Sequence, residues 1–200
     1  MKQILCFGDS NTYGLIPGTI NQRYGWGTRW TSILDDKVRT KGYRVIEEGL
    51  CGRTTVFDDP FRTERRGTEM LPAILESHRP VDTIVLMLGT NDCKSVYSAT
   101  PEMIGQGIEQ LLDQIKAVNP DAKILLVSPI HLGERIWEED FDPEFDKNSI
   151  EVSRNLPRVY EKIARRRNIS YLPASEFARP GEADQEHLDA LGHSRLADAI

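Results

Sequence analysis

The sequence predicts an α/β fold, a three-layer α/β/α sandwich in which helices cover both faces of a five-stranded parallel sheet. Three observations carry that expectation. Apolar runs of strand length recur along the chain, stretches with helical spacing separate them, and the central runs IVLML and ILLV are apolar without alternation. A strand covered on both faces has no solvent side to keep polar, so it reads as a near-continuous hydrophobic segment. In chain order the five strands are QILCFG, YRVIEE, DTIVLMLG, AKILLVSP and the weaker NISYLP. Helical spacing joins Trp26, Trp30, Ile33, Leu34 and Val38, then Met70, Leu71, Ile74 and Leu75, then Ile104, Ile108, Leu111, Leu112 and Ile115. Arg165 to Arg167 read as the charged carboxyl end of a further helix, where the dipole favours cations, and His193 falls inside a terminal helix.

Two hundred residues with 39% hydrophobic content fit one domain over 1–200 with a sizeable core. No apolar run approaches the roughly 20 residues of a membrane span, and Lys2 is the only charged side chain before the short run ILCF, so neither a membrane anchor nor a signal peptide is expected and the expected location is cytoplasmic. Cys6, Cys51 and Cys93 are odd in number and form no CxxC pair, so free thiols are expected. The four histidines include no i, i+4 pair; no metal and no cofactor is implied. A net charge of −6 argues against nucleic acid and anionic membrane as partners and for a small or neutral substrate. The ending LGHSRLADAI is abrupt for a helix that covers a sheet, and a few natural residues are expected beyond it.

Two connections exceed the usual few residues. One runs from Gly49 to about Glu69. The other, 130–148, is acidic and carries Trp137, Phe141 and Phe145; it reads either as a solvated loop with anchoring aromatics or as a pocket lid or subunit contact.

In a parallel α/β sheet, ligands bind beyond the carboxyl ends of the strands. The turns there hold Asp9-Ser10-Asn11, Gly49-Leu50-Cys51-Gly52, Gly89-Thr90-Asn91-Asp92, Ser128-Pro129, and a loop with Asp184 and His187. A serine hydroxyl becomes a useful nucleophile when an imidazole takes its proton, and the imidazole needs a carboxylate to hold its tautomer. Asp184 and His187 supply both on one short turn. The amides of Ser10 and Gly52 and the side chain of Asn91 could converge on a developing oxyanion, each donor worth about 2.7–4 kcal/mol.

GDSNTYG, the glycine of EEGLCGRTT, the asparagine of LGTND and a late D-x-x-H resemble, in order and spacing, the four blocks of the SGNH hydrolases, the GDSL esterase and lipase family. ILCFGDS, VIEEGLCGRTT, the following DDP and MLGTNDCK are similar to its cytoplasmic arylesterase and acyltransferase branch, which includes perhydrolase activity and oligomeric members. The resemblance spans residues 4–193. It implies a flavodoxin-like sandwich, Ser10 as nucleophile, His187 as general base and acid, Asp184 as its orienting carboxylate, and an oxyanion hole of Ser10, Gly52 and Asn91. It also implies a homo-oligomer and a serine esterase for small acyl or aryl esters, with acyl transfer to alcohols or peroxide where water is excluded.

The first block has Asn11, and the last has Glu186, where relatives often carry apolar residues; both are expected beside the acyl pocket. Asp9, Asn11, Lys94 and Glu186 are therefore candidate substrate-binding residues, and Asp9 is also expected to accept backbone hydrogen bonds that shape the turn. Lys94 lines the pocket entrance or is simply exposed. Asp92 is expected to cap the next helix and so free Asn91 for the pocket. Glu47 and Glu48 are adjacent on a strand and point to opposite faces, which argues against a glycosidase pair. Cys51 is expected to be unreactive, and His78, His131 and His193 to stand outside any constellation. Two other functions remain open: a carbohydrate O-deacetylase, and a non-catalytic module binding phosphate or a nucleotide at the first strand-to-helix turn.

Overall fold

The computed structural model describes residues 1–200. Five parallel strands, β1 (Lys2–Gly8), β2 (Tyr43–Gly49), β3 (Thr83–Met87), β4 (Lys123–Ser128) and β5 (Ser170–Pro173), form one sheet in the order β2-β1-β3-β4-β5. The alternation along β1 shows why both faces need cover. Leu5 and Phe7 enter the larger apolar cluster, while Ile4 and Cys6 enter the smaller one on the opposite face. The larger cluster is closed by α3 (Gly67–Ser77), α4 (Pro101–Val118) and α5 (Lys147–Arg167), and the smaller by α2 (Trp30–Arg39) and α6 (Ala190–Ala199). A short α1 (Ser10–Tyr13) follows β1 directly. The α/β/α sandwich with a five-stranded parallel sheet is thus as the apolar pattern predicts, and no helix is long and apolar enough to cross a membrane.

Strand and helix ends follow from local chemistry. Asp146 caps α5 by accepting from Ser149 N at 2.8 Å, and Ser149 returns the bond to Asp146 N. Arg165, Arg166 and Arg167 end that helix and pair with Glu161, Glu109 and Asp113, a charged helix end as expected. Trp26, by contrast, does not extend α2. Gly27 has φ +85°, a left-handed conformation that a helix does not pass through, so Trp26 stays 55% exposed and the helix begins at the fully buried Trp30.

The adjacent glutamates separate as the strand period requires. Glu47 receives Arg29 at 2.9 and 2.7 Å on one side of β2, and Glu48 meets His78 Nε2 at 2.9 Å on the other. His78 therefore does have a partner, at the sheet edge. His193 is buried beneath α2, where its Nδ1 accepts from Trp30 N at 3.3 Å, and burial pushes its ring down to about 4, a neutral packing residue.

Segment 130–148 is anchored as well as acidic. Ile130, Leu132, Ile136 and Phe145 are buried, and Glu144 O accepts from Ser95 N at 2.8 Å. Trp137 remains 43% exposed under the ammonium of Lys147.

The centre of the sheet should dominate stability. Leu86→Ala in β3 removes a fully buried side chain and is expected to cost about 2–5 kcal/mol in urea unfolding, against about 1 kcal/mol for Asp146→Ala at the α5 cap. Equal losses would contradict this division.

Candidate active site

Strand order reverses between β1 and β3, so the turns leaving them diverge and open a crevice at their carboxyl ends. The first turn brings Ser10 to that crevice. Asp9, 1% exposed, caps α1 by accepting from Asn11 N at 3.0 Å. Its expected turn-shaping role holds through Oδ1, but it is buried beneath the helix it caps and lines no part of the cleft, so it does not bind substrate there; its Oδ2 is buried without a hydrogen-bond partner.

The loop 180–189 reaches over from beyond β5 and places His187 against Ser10. His187 Nε2 lies 2.8 Å from Ser10 Oγ, and Nδ1 lies 2.8 Å from Asp184 Oδ2. Asp184 is itself held: Oδ1 accepts from Glu186 N at 3.0 Å and His187 N at 2.9 Å, and Oδ2 accepts from Gly18 N at 2.9 Å. Gln185 takes a left-handed φ of 63°, which folds Asp184 and His187 back onto each other.

Asn11 does not face the substrate. It is 3% exposed, its Oδ1 accepts from Leu188 N at 2.8 Å, and its Nδ2 donates to Glu186 O at 3.4 Å. It therefore clasps the backbone on both sides of His187, and the expectation of a place in the acyl pocket is overturned because both ends of its amide are consumed by that loop.

The donors opposite are set by the next two turns. Gly52 has φ +82°, and a β-carbon there would fall within 2.7 Å of the Arg62 guanidinium. Its N–H donates to no protein acceptor. Asn91 uses one amide hydrogen on Arg53 O at 3.1 Å and keeps the other. The Ser10 N–H opens α1 and has no partner within that helix. Asp92 does not cap the following helix, which Thr100 caps instead. Asp92 is buried and accepts from Thr55 N at 2.9 Å and from the Thr55 hydroxyl, so it staples the Gly52 turn to the Asn91 turn. Burial pushes its carboxyl up to about 6, opposed by the Thr55 hydrogen bonds.

The cleft holds about 190 Å³ and is lined by Ser10, Gly52, Asn91 and His187, with Arg62, Lys94, Asp142, Glu144 and Glu186 around them. A larger groove of about 460 Å³ near Lys2, Asp82 and Lys123 lies at the amino ends of the strands and contains none of these groups. Lys94 is 2% exposed, not on the surface, and its Nζ meets Glu144 Oε2 at 2.6 Å. Its charge is thereby occupied. Arg62 pairs with Asp59 at 3.0 Å. Arg62, Asp142 and Glu144 have no signal in spacing or motif; they reach the cleft because two long connections fold onto it. Cys51 also lines the cleft, with its thiol pushed up to about 11 by burial and then by the charge of Asp9, as an unreactive cysteine requires.

The electrostatics around His187 are unusual for a neutral-pH base. Burial lowers its affinity for protons, but Glu186 first, then Asp184 and Asp9, more than reverse this and bring it to about 9. The arrangement can move a proton from the Ser10 hydroxyl to the imidazole and meet a negative oxygen opposite with backbone and amide donors.

The profile of the GDSL-like lipase/acylhydrolase family matches residues 6–195. Among solved structures, the chain is similar to Est24, a carbohydrate acetylesterase from Sinorhizobium meliloti, at 34% identity and a TM-score of 0.91, covering 100% of this chain and 96% of that one. It is equally similar in shape to the native aryl esterase of M. smegmatis, at 32% identity, a TM-score of 0.91 and the same coverage. No curated protein sequence matches it.

The ring of His187 is therefore expected to titrate near 9, above the ordinary 6.5, when followed by NMR. Glu186→Gln removes a negative neighbour and should lower that midpoint; a wild-type midpoint at or below 6.5 would contradict the influence of the flanking carboxylates.

Proposed function

The chain belongs to the GDSL-like lipase/acylhydrolase family, and from that premise we propose that it is a serine esterase that hydrolyses small carboxylic esters through an acyl-enzyme. The observation that carries the reading is the unbroken hydrogen-bonded chain from Asp184 through His187 to Ser10, facing Gly52 and Asn91 across one small cleft. Ser10 Oγ attacks the acyl carbon while its proton passes to His187 Nε2, and the carbonyl π pair moves onto oxygen. The resulting oxyanion accepts from Ser10 N, Gly52 N and Asn91 Nδ2. When the carbonyl re-forms, the ester C–O bond breaks and His187 returns the proton to the departing alkoxide. Water then repeats the sequence, with His187 taking its proton, and releases the acid and free Ser10. An alcohol in place of water gives acyl transfer.

The cleft volume supports short acyl groups. A carbohydrate O-deacetylase is the second reading, favoured by the 34% identity to the Sinorhizobium enzyme and by the polar walls of the cleft.

Ser10→Ala is expected to lower kcat on p-nitrophenyl acetate by roughly 10⁴- to 10⁶-fold and to abolish labelling by a fluorophosphonate, and Asn91→Ala to lower kcat by about 10²- to 10³-fold. An unlabelled wild-type chain that instead binds inorganic phosphate would favour the non-catalytic module. Because the base must be neutral, kcat/KM should rise with pH as His187 deprotonates, toward about 9 and not near neutrality. A flat profile across that range would point to another base.

A further inference from the structure

Glu186 lies in the wall of the cleft, 5% exposed, yet its carboxyl accepts no hydrogen bond from the protein. The one charged partner within reach is His187, whose Nε2 stands 3.7 Å from Oε1. The cations that share the cleft are engaged elsewhere, Arg62 with Asp59 and Lys94 with Glu144. Of the remaining carboxylates facing this region, Asp184 is held by His187 and by backbone amides, and Asp142 accepts from Glu144 N. Whenever His187 is neutral and able to act as a base, an ionised Glu186 in the cleft wall has no counter-ion in the protein, and a cation on the ligand would supply one.

The geometry says which part of a substrate would supply that cation. The leaving oxygen takes its proton from His187 Nε2, so the alcohol half of the ester passes beside Glu186, while the carbonyl oxygen turns toward Gly52 and Asn91. We propose that Glu186 is a specificity-determining residue that selects amino-alcohol esters, with a protonated amine two carbons from the ester oxygen, over neutral or anionic esters of the same shape. The inference rests on the serine-esterase reading. Burial pushes the Glu186 carboxyl up to about 7, with His187 opposing, so the preference should weaken in more acidic solution.

Three acetates of closely similar shape test it: 2-(dimethylamino)ethyl acetate, 3-methylbutyl acetate and 3-acetoxypropanoate, compared by acetate release at about pH 8, where the Glu186 carboxyl is ionised and the amine is still largely protonated. Wild-type kcat/KM is expected to fall in that order, with the ammonium ester favoured over the alkyl ester by about tenfold. Glu186→Gln should bring that ratio to within about twofold of unity, and Glu186→Asp should keep part of it. Because the ratio compares two esters on one enzyme, a change in His187 basicity cancels. A wild-type ratio near one, or a ratio that survives in Glu186→Gln, overturns the proposal. So does a selectivity confined to 2-hydroxyethyl over propyl acetate, which would assign Glu186 to neutral hydroxyls. Equal cleavage of all three acetates removes this inference alone, whereas no cleavage together with no fluorophosphonate label removes the esterase reading and this inference with it.

Discussion

Between β1 and β3 the direction in which strands are added to the sheet reverses, and the two turns that leave them cannot pack side by side. Everything in the cleft depends on that divergence. Ser10 stands at the end of β1 and Asn91 just beyond β3, so the two are brought to opposite sides of one crevice by backbone topology before any side chain acts. The carboxyl ends of parallel strands also present their groups on a common edge, which is why a loop from beyond β5 can reach the first turn.

Topology alone leaves the turns free to shift, and buried polar groups remove that freedom. Asp92 staples the Gly52 turn to the Asn91 turn through Thr55. Arg53, 2% exposed, donates to Gly8 O at 2.8 Å and to Glu48 O, tying the ends of β1 and β2 together, and its guanidinium lies over the Phe7 ring. Burial lowers its proton affinity to about 10, so it remains a cation in neutral solution. Charged groups without water are costly unless they are hydrogen-bonded, and these two hold the turns at fixed separations through their bonded atoms, although Arg53 Nε is left without a partner. Asn11 does the same for the histidine loop, which otherwise touches the first turn only through the Ser10 to His187 hydrogen bond and the contacts around it.

The cleft is polarised by the way its charges pair. The Arg62 guanidinium packs over Gly52, and Glu186 stands beside His187. Positive charge beside the developing oxyanion stabilises it, and negative charge beside the imidazole makes the imidazolium easier to form. The second effect has a cost, since a histidine that holds its proton more tightly is a base only at higher pH.

The five strands, the helices between them and the grouping of Ser10, His187 and Asp184, hydrogen-bonded in a row, were legible in the amino-acid order, because burial on both faces leaves continuous apolar runs and because proton transfer demands particular residue types after particular strands. Trp26 was misread because its spacing fits a helix while Gly27 does not. Asn11, polar where relatives often carry apolar residues, and Asp9 read as cleft residues, yet side chains one residue apart on a helical turn point in different directions, and both turn inward onto backbone groups. Lys94 is placed at the cleft by its position after LGTND, but its pairing with Glu144, and the arrival of Arg62 and Glu144 there, are not written in the sequence: whether a charge is free or neutralised depends on partners brought from dozens of residues away. The sequence by itself determined the fold and pointed to Ser10, Asp184 and His187 as candidates, since periodicity and local chemistry are written in neighbouring residues. Only the tertiary structure decided which polar side chains face the substrate and which are spent holding the turns, because hydrogen bonding and charge pairing are settled by distance in space.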